Sequence, residues 1–329
     1  MMKKESLKKY DITQCALYKC RSKKRLKDLL KITGDTLKQI QNIISYRSFE
    51  ISKNGTNEKR NITAPNPILK QIQTRILYLL QNIERPCWLI SGEKGRCYID
   101  NGKAHQLSNY VLTIDIKKFY DNCKREPVYQ FFVNYLKTSN DVAKILTDVV
   151  TYNQGIPTGC PTSQLIAYYS YQDMFEEINT LSQAYGCKFT LYVDDMTFSN
   201  IFSFKQKSLA NEVDKVLRKY GHKPKYCKIK YYSKHDPKPI TGTIIMPNHQ
   251  LEVPNNLQKK VYDNFQIIKD VDISSPYSFE YEKMLLSLKG QLQAVKNINP
   301  KKFPEITRLT NKIPVSMQSK KMDKTTLIT

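Results

Sequence analysis

The chain is 329 residues long and 40% hydrophobic, with only 11 glycines, a composition that excludes fibrous and disordered classes and leaves room for two or three packed units. Its 53 Lys and Arg outweigh 30 Asp and Glu, giving a formal charge of +23 at pH 7; self-repulsion of that size works against compactness, so a polyanion, nucleic acid, is the expected partner. The eight cysteines form no CxxC pair and no ligand rhythm with the four histidines, no apolar run reaches the ~18 residues that span a bilayer, and the basic N-terminus lacks an apolar signal core. Reduced thiols, a cytoplasmic location and no membrane partner are expected.

In chain order, residues 22–46 read as two short helices broken at Gly34, with Thr33 or Asp35 as the cap. The stretch EISKNGTNEKRNITAPN (50–66) reads as a hairpin around Asn54-Gly55. After Pro67 comes an amphipathic helix with Ile68, Ile72, Ile76, Leu79, Leu80 and Ile83 on one stripe. YVLTIDI (110–116) is a short apolar strand and PVYQFFVNYL (127–136) a helix. GIPTGCPTSQ (155–164) is a punctuated loop that leads into a helix through about Leu181, and KFTLYV and MTFSNIF flank an aspartate pair as a second hairpin. KQKSLANEVDKVLRKYG is a helix ended by Gly221, strands follow near 225–232 and 240–246, and from Asn255 the pattern is helical and basic. Helices mixed with hairpins, without βαβ alternation, give an α+β class. Residues 1–31 and 205–238 each carry 11 Lys and Arg against 3 acids, and tyrosines interleave the second cluster, a mixture suited to phosphates and stacked bases.

Acids on rigid strands are out of place beside a polyanion, because they repel phosphate. Asp115 interrupts VLTIDIKKFYDN, and Asp194 and Asp195 sit side by side in FTLYVDDMTFSN. Divalent metal resolves the conflict: Mg2+ takes oxygen ligands and is held by one or two carboxylates plus substrate phosphates, and a pair of such ions serves in-line phosphoryl displacement. Seventy-eight residues separate Asp115 from Asp194, so spacing alone does not join them.

The motifs do. LYVDDMTFS resembles the YxDD box of reverse transcriptases, TIDIKKFYDN their preceding aspartate box, and NQGIPTGCPTSQLIAYY their G-x-P-x-G-x-P-x-S segment, in the family's order. NGKAH (101–105) resembles the NAxxH element of the retron (bacterial group-II-intron-like) branch, with Gly102 for alanine, and ITG (240–242) its VTG element. KRNITAPNPILKQIQ is similar to that branch's fingers and LKGQLQAVKNINP to its thumb, so the likeness runs from about residue 25 to 310.

The resemblance implies that Asp115, Asp194 and Asp195 are catalytic and, with the carbonyl of Ile116, hold two Mg2+ ions. Tyr120 falls at the sugar-gate position, where a ring leaves no room for a 2′-hydroxyl. Lys59 and Arg60 are expected over the incoming triphosphate, with the choice between them open. Thr158 and Gly159 belong to the floor under the nascent base pair; Thr158 stands where many relatives carry glutamine and Gln164 where they carry proline, which leaves a backbone role. Lys228 matches a lysine that protonates leaving pyrophosphate, and plain phosphate attraction fits it as well. Asn101, His105, Thr241 and Gly242 fall in elements that recognise the cognate RNA, although His105 also suits a core histidine.

The implied architecture is a right-hand polymerase with fingers, an antiparallel ferredoxin-like palm and a helical thumb. It divides into N-terminal helices and fingers over 1–110, a palm over 111–123 and 155–250, an insertion over 124–154, and a basic helical thumb and tail over 251–329. The implied function is synthesis of multicopy single-stranded DNA from a cognate noncoding RNA, primed from an RNA 2′-hydroxyl, in antiphage defence. Its partners would be that RNA, the RNA-linked DNA, dNTPs and a separate effector protein. Other prokaryotic reverse transcriptases (group II intron-like, diversity-generating, abortive-infection) and a structural RNA-binding protein with a vestigial site remain open as alternatives.

Overall fold

The computed structural model describes residues 8–52, 59–270 and 279–313. The chain folds as two compact units, the first made of Met1–Arg96, Leu112–Asn200 and Phe204–Tyr231, the second of Cys97–Val111, Ile201–Ser203 and Tyr232–Thr329.

The first unit begins with the helices Lys23–Leu30, Gly34–Lys38 and Ile40–Ile43. The break expected at Gly34 falls earlier: Lys31 leaves the first helix in the left-handed region at φ 57, and the hydroxyl of Thr33 caps the second by accepting from the Thr36 amide. Strands β1 (Tyr46–Ser52) and β2 (Lys59–Pro65) pair antiparallel, with Ser52 opposite Lys59; the Asn54-Gly55 turn lies outside the described residues. The helix Pro67–Leu80 starts at Asn66, whose side chain accepts from the Leu69 amide. Its buried face departs from the expected stripe in one place, since Leu69 is buried and Ile68 is 54% exposed. Gln73 explains the rotation. Its amide donates to the Val149 carbonyl at 2.8 Å and the Tyr46 hydroxyl at 3.2 Å, so it joins the buried face and turns that face toward residue 69.

A four-stranded sheet carries the remainder of this unit, in the order β4-β5-β3-β6, with β3 Tyr110–Asp115, β4 Lys188–Tyr192, β5 Asp195–Asn200 and β6 Lys230–Tyr232. Alternation in β3 and β4 places Leu112, Ile114, Phe189 and Leu191 in the core. The expected helix over 127–136 is an α-helix over Arg125–Gln130 that continues as a π-turn over Phe131–Tyr135. The one after the 155–164 loop is split at Tyr171 into Ser163–Ser170 and Gln172–Ala184. The helix Gln206–Lys219 is amphipathic as expected, and Gly221 follows it at φ 81.

In the second unit, strands β7 (Lys238–Ile240), β8 (Thr243–Ile245) and β9 (Leu251–Glu252) form an antiparallel sheet. The helices Asn255–Asp270, Phe279–Ile298 and Pro304–Lys312 follow, as the basic helical pattern foretold. A core of Val253, Val261, Ile268, Leu285, Leu288 and Val295 joins them, and Ile99 of the helix Tyr98–Ala104 packs into it. That short helix also presses on β8. A methyl group on Gly102 would stand 2.2 Å from the Thr243 γ-oxygen, and that hydroxyl is fixed by donating to the Ile240 carbonyl at 2.9 Å. The glycine that replaces alanine in NGKAH is therefore matched to a threonine 141 residues further on.

Gly102→Ala is accordingly expected to cost about 1–3 kcal/mol, the usual range for overpacking. Thr243→Ala, which removes the clashing oxygen, should recover part of that loss, so the two changes together are less destabilising than their sum in thermal or urea unfolding.

Candidate active site

The β4–β5 hairpin pairs Tyr192 with Asp195, leaving Val193 and Asp194 as a two-residue connection. Tight hairpins of this kind need positive φ and usually recruit Asn or Gly. Here Val193 takes it, at φ 61, a conformation that β-branched residues rarely adopt. The turn is tied to its neighbours by backbone. The Ile116 amide donates to the Asp194 carbonyl at 3.0 Å, which sets the end of β3 beside the aspartate pair. On the other side of β3, the Lys225 amide donates to the Asp115 carbonyl at 2.7 Å and the Lys117 amide to the Lys223 carbonyl at 2.9 Å.

This lacing brings the three aspartates to one wall of a cleft of about 700 Å³, which Lys59, Tyr120, Thr158 and Lys228 also line. Ile116 lines it too. Among the candidates for nucleotide contact, Gly159 stands behind the wall: its amide donates to the Thr63 carbonyl at 3.0 Å, and an added Cβ would come within 2.6 Å of that oxygen. The Thr158 hydroxyl donates to the Asn61 carbonyl at 3.2 Å, so the 155–164 loop is fastened along β2. The Arg60 side chain lies outside the described residues. Lys59 reaches Glu50 across the hairpin at 2.8 Å.

Charge dominates the wall. Burial, followed by the charges of Asp194 and Asp115, pushes the Asp195 carboxyl up to about 6. Lys228 answers Asp115 with Nζ to Oδ2 at 2.5 Å, and that bond raises the lysine's own pKa. Behind Phe119, His222 is buried against that ring and Tyr171, with centroids 5.4 Å and 4.5 Å away. Neither of its ring nitrogens has a hydrogen-bond partner among the described residues, and burial lowers its pKa to about 4. It is a neutral core ring, in keeping with its lack of ligand spacing in the sequence.

No ready-made cage of three His, Cys, Asp or Glu side chains occurs among the described residues. The donor set nonetheless suits a divalent cation. Hard oxygen ligands are crowded enough to raise a carboxyl's pKa, and Mg2+-type sites draw much of their shell from substrate phosphate and water.

The four residues of the NGKAH and ITG elements all lie in the second unit. Asn101 is fully buried and its amide donates to the Thr241 hydroxyl at 2.8 Å. His105 is fully buried as well, and Gly242 turns at φ 83 against the Tyr98 ring. Thr241 itself sits at φ 40.

A residue that the sequence motifs passed over is Ser91, whose γ-oxygen accepts from the Val193 amide at 2.8 Å. A single serine after an apolar run carries no pattern, and nothing short of tertiary pairing links it to residue 193.

The first unit thus combines an α+β arrangement with Asp115, Asp194, Asp195 and five lysines lining one cleft. The family model for reverse transcriptase (RNA-dependent DNA polymerase) matches residues 18–245, well over half of the chain. The chain belongs to the reverse transcriptase family, and the right-hand polymerase fold comes with that membership. Its similarity is to the retron branch: it is 29% identical over 181 residues to the Retron Se72 reverse transcriptase of Salmonella heidelberg (strain 579083-10), covering 54% of this chain and 46% of that protein. To the Retron Ec86 reverse transcriptase of Escherichia coli it is 25% identical over 181 residues, covering 53% and 56%. The chain thus spans about half the length of these curated relatives. A solved apo telomerase from Candida tropicalis, truncated from its C-terminal domain, is 13% identical at a TM-score of 0.48, covering 65% of this chain and 55% of that one. No described helix is long and apolar enough to cross a membrane.

Because the Asp195 carboxyl is raised to about 6, its charged form opposes folding above that pH, and the penalty fades as pH falls through 6 toward the unfolded value near 4. Asp195→Asn is expected to stabilise the metal-free protein at pH 7.5 by roughly 1–3 kcal/mol. The gain should largely vanish at pH 4.5, as measured by thermal unfolding in chelator.

Proposed function

We propose that this chain is a retron reverse transcriptase that copies a cognate noncoding RNA into RNA-linked, multicopy single-stranded DNA. The observation that carries the reading is the convergence of Asp115, Asp194 and Asp195 on one cleft with Tyr120, Lys59, Thr158 and Lys228. Asp115 and Asp194, with Asp195 and the Ile116 carbonyl, would hold two Mg2+ ions. When bound, these supply a polarised primer hydroxyl and neutralise the departing pyrophosphate.

The chain's own groups have distinct tasks in this reading. Lys59, with Arg60, binds the triphosphate by charge-assisted hydrogen bonds. Tyr120 lies beside the sugar and excludes a 2′-hydroxyl. Thr158 and Gly159 present backbone under the new base pair, anchored to β2. Lys228, which pairs with Asp115 at 2.5 Å, would follow negative charge onto pyrophosphate and donate its proton there. Asn101, His105, Thr241 and Gly242 support RNA recognition by shaping the 240–243 turn. Their burial favours an indirect part for Asn101 and His105.

In the same reading, fingers, palm and thumb follow the divisions drawn from the sequence, and priming starts from an RNA 2′-hydroxyl. The product serves antiphage defence in the cytoplasm together with a separate effector protein. The retron names of the relatives support this assignment over other reverse transcriptases, and the +23 charge suits a nucleic-acid substrate.

Primer extension with Mg2+ and sequencing of copurifying nucleic acid test the function. The wild-type chain is expected to yield a short, fixed DNA joined to RNA, and Asp194→Asn to make no detectable DNA. Heterogeneous host RNA with no attached DNA, or substantial synthesis by the variant, would refute the reading. Tyr120→Ala should raise ribonucleotide incorporation by about tenfold or more, the effect of about 1.4 kcal/mol of lost discrimination, as read by alkali-labile sites in the product.

A further inference from the structure

The strained turn that carries Asp194 is gripped from two sides. On one side the Ile116 amide holds the Asp194 carbonyl. On the other runs the segment 88–91, which lies parallel to β4: Leu191 donates to the Trp88 carbonyl at 2.9 Å and Ile90 donates to the Leu191 carbonyl at 3.0 Å. The next rung of that ladder is a side chain. The Ser91 γ-oxygen accepts from the Val193 amide at 2.8 Å. Ser91 is itself 5% exposed, so its hydroxyl is fixed by its surroundings and does not wander in solvent. Val193, at φ 61, occupies a conformation that a β-branched residue leaves readily unless its amide is held.

We propose that Ser91 is a positioning residue for DNA synthesis: its γ-oxygen locks the Val193 amide and so keeps the turn in the form that presents Asp194 to the cleft. This rests on the reading of Asp194 as a catalytic carboxylate, and it adds a residue from outside the polymerase motifs. A purely packing role fits less well. The segment already packs through Trp88, Leu89 and Ile90, all buried, while the serine contributes a hydrogen bond to an amide that would otherwise lack its ladder partner.

Single-nucleotide extension by the whole chain on a DNA-primed RNA homopolymer, with Mg2+, reads kcat and KM for dNTP. Ser91→Ala is expected to lower kcat about 5- to 100-fold, the span for one lost buried hydrogen bond, with KM within about twofold. Ser91→Thr, which keeps the γ-oxygen, should clearly outperform its isostere Ser91→Val. Val193→Gly, which adopts positive φ without strain, should recover much of the loss when added to Ser91→Ala. Hydrogen exchange of a peptide spanning 189–197 should quicken in the Ala and Val variants and not in Thr. Wild-type kcat in Ser91→Ala, equal loss in the Thr and Val variants, or no recovery from Val193→Gly overturns the proposal. Should Ser91→Ala fail to fold, the Thr and Val pair decides. An inactive wild-type chain would instead remove the polymerase reading itself, and this inference with it.

Discussion

Three carboxylates pressed into one wall of a cleft repel one another, and the residues around them are arranged to contain that repulsion. Burial makes it worse: Asp195 resists ionisation up to about pH 6 because water is scarce and two like charges stand close. Side chains alone would swing such groups apart. Backbone hydrogen bonds from Ile116 to Asp194 and from Lys225 to Asp115 hold the main chain that carries two of them in place, and the Lys228 ammonium supplies partial compensation. A cluster held together against its own electrostatics favours a cation more than a relaxed one does, because the cost of assembling the ligands has already been met in folding.

The rest of the chain has the opposite sign. A charge of +23 draws polyanions to the protein in general, whereas the acidic wall repels phosphate wherever no cation intervenes. Attraction over the surface and selectivity at one point are thus separate properties, and the cleft combines them by lining the same space with Lys59, Lys117, Lys118, Lys225 and Lys228. Close backbone approach joins the 155–164 loop to β2. Gly159 lies against the Thr63 carbonyl with no room for a methyl group, so the loop and β2 act as one piece.

Much of the site was legible beforehand because the family motifs are local. Asp115, the aspartate pair and the 155–164 loop each sit in a contiguous signature, and the structure gathers them in one unit as the motif order implied. The elements were legible for a related reason, since alternation and helical period survive in short windows. Two readings failed, for different reasons. Ile68 was expected in the core, but Gln73, a polar residue that finds two buried partners, rotates the helix face away from it. Lys31, not Gly34, ends the first helix, because a left-handed residue is recognised by its backbone and not by its side chain.

The sequence by itself determined the family, the α+β class, the identity of the acids and the large positive charge, all of which depend on residue type and on order along the chain. Only the tertiary structure decided that Ser91 reaches Val193, that Gly102 must be small because of Thr243, and that Asn101 and His105 are buried. The first two are contacts between residues 102 and 141 positions apart, and all three are fixed by the packing of whole elements. Side-chain chemistry names the groups that can bond; chain folding alone chooses which of them meet.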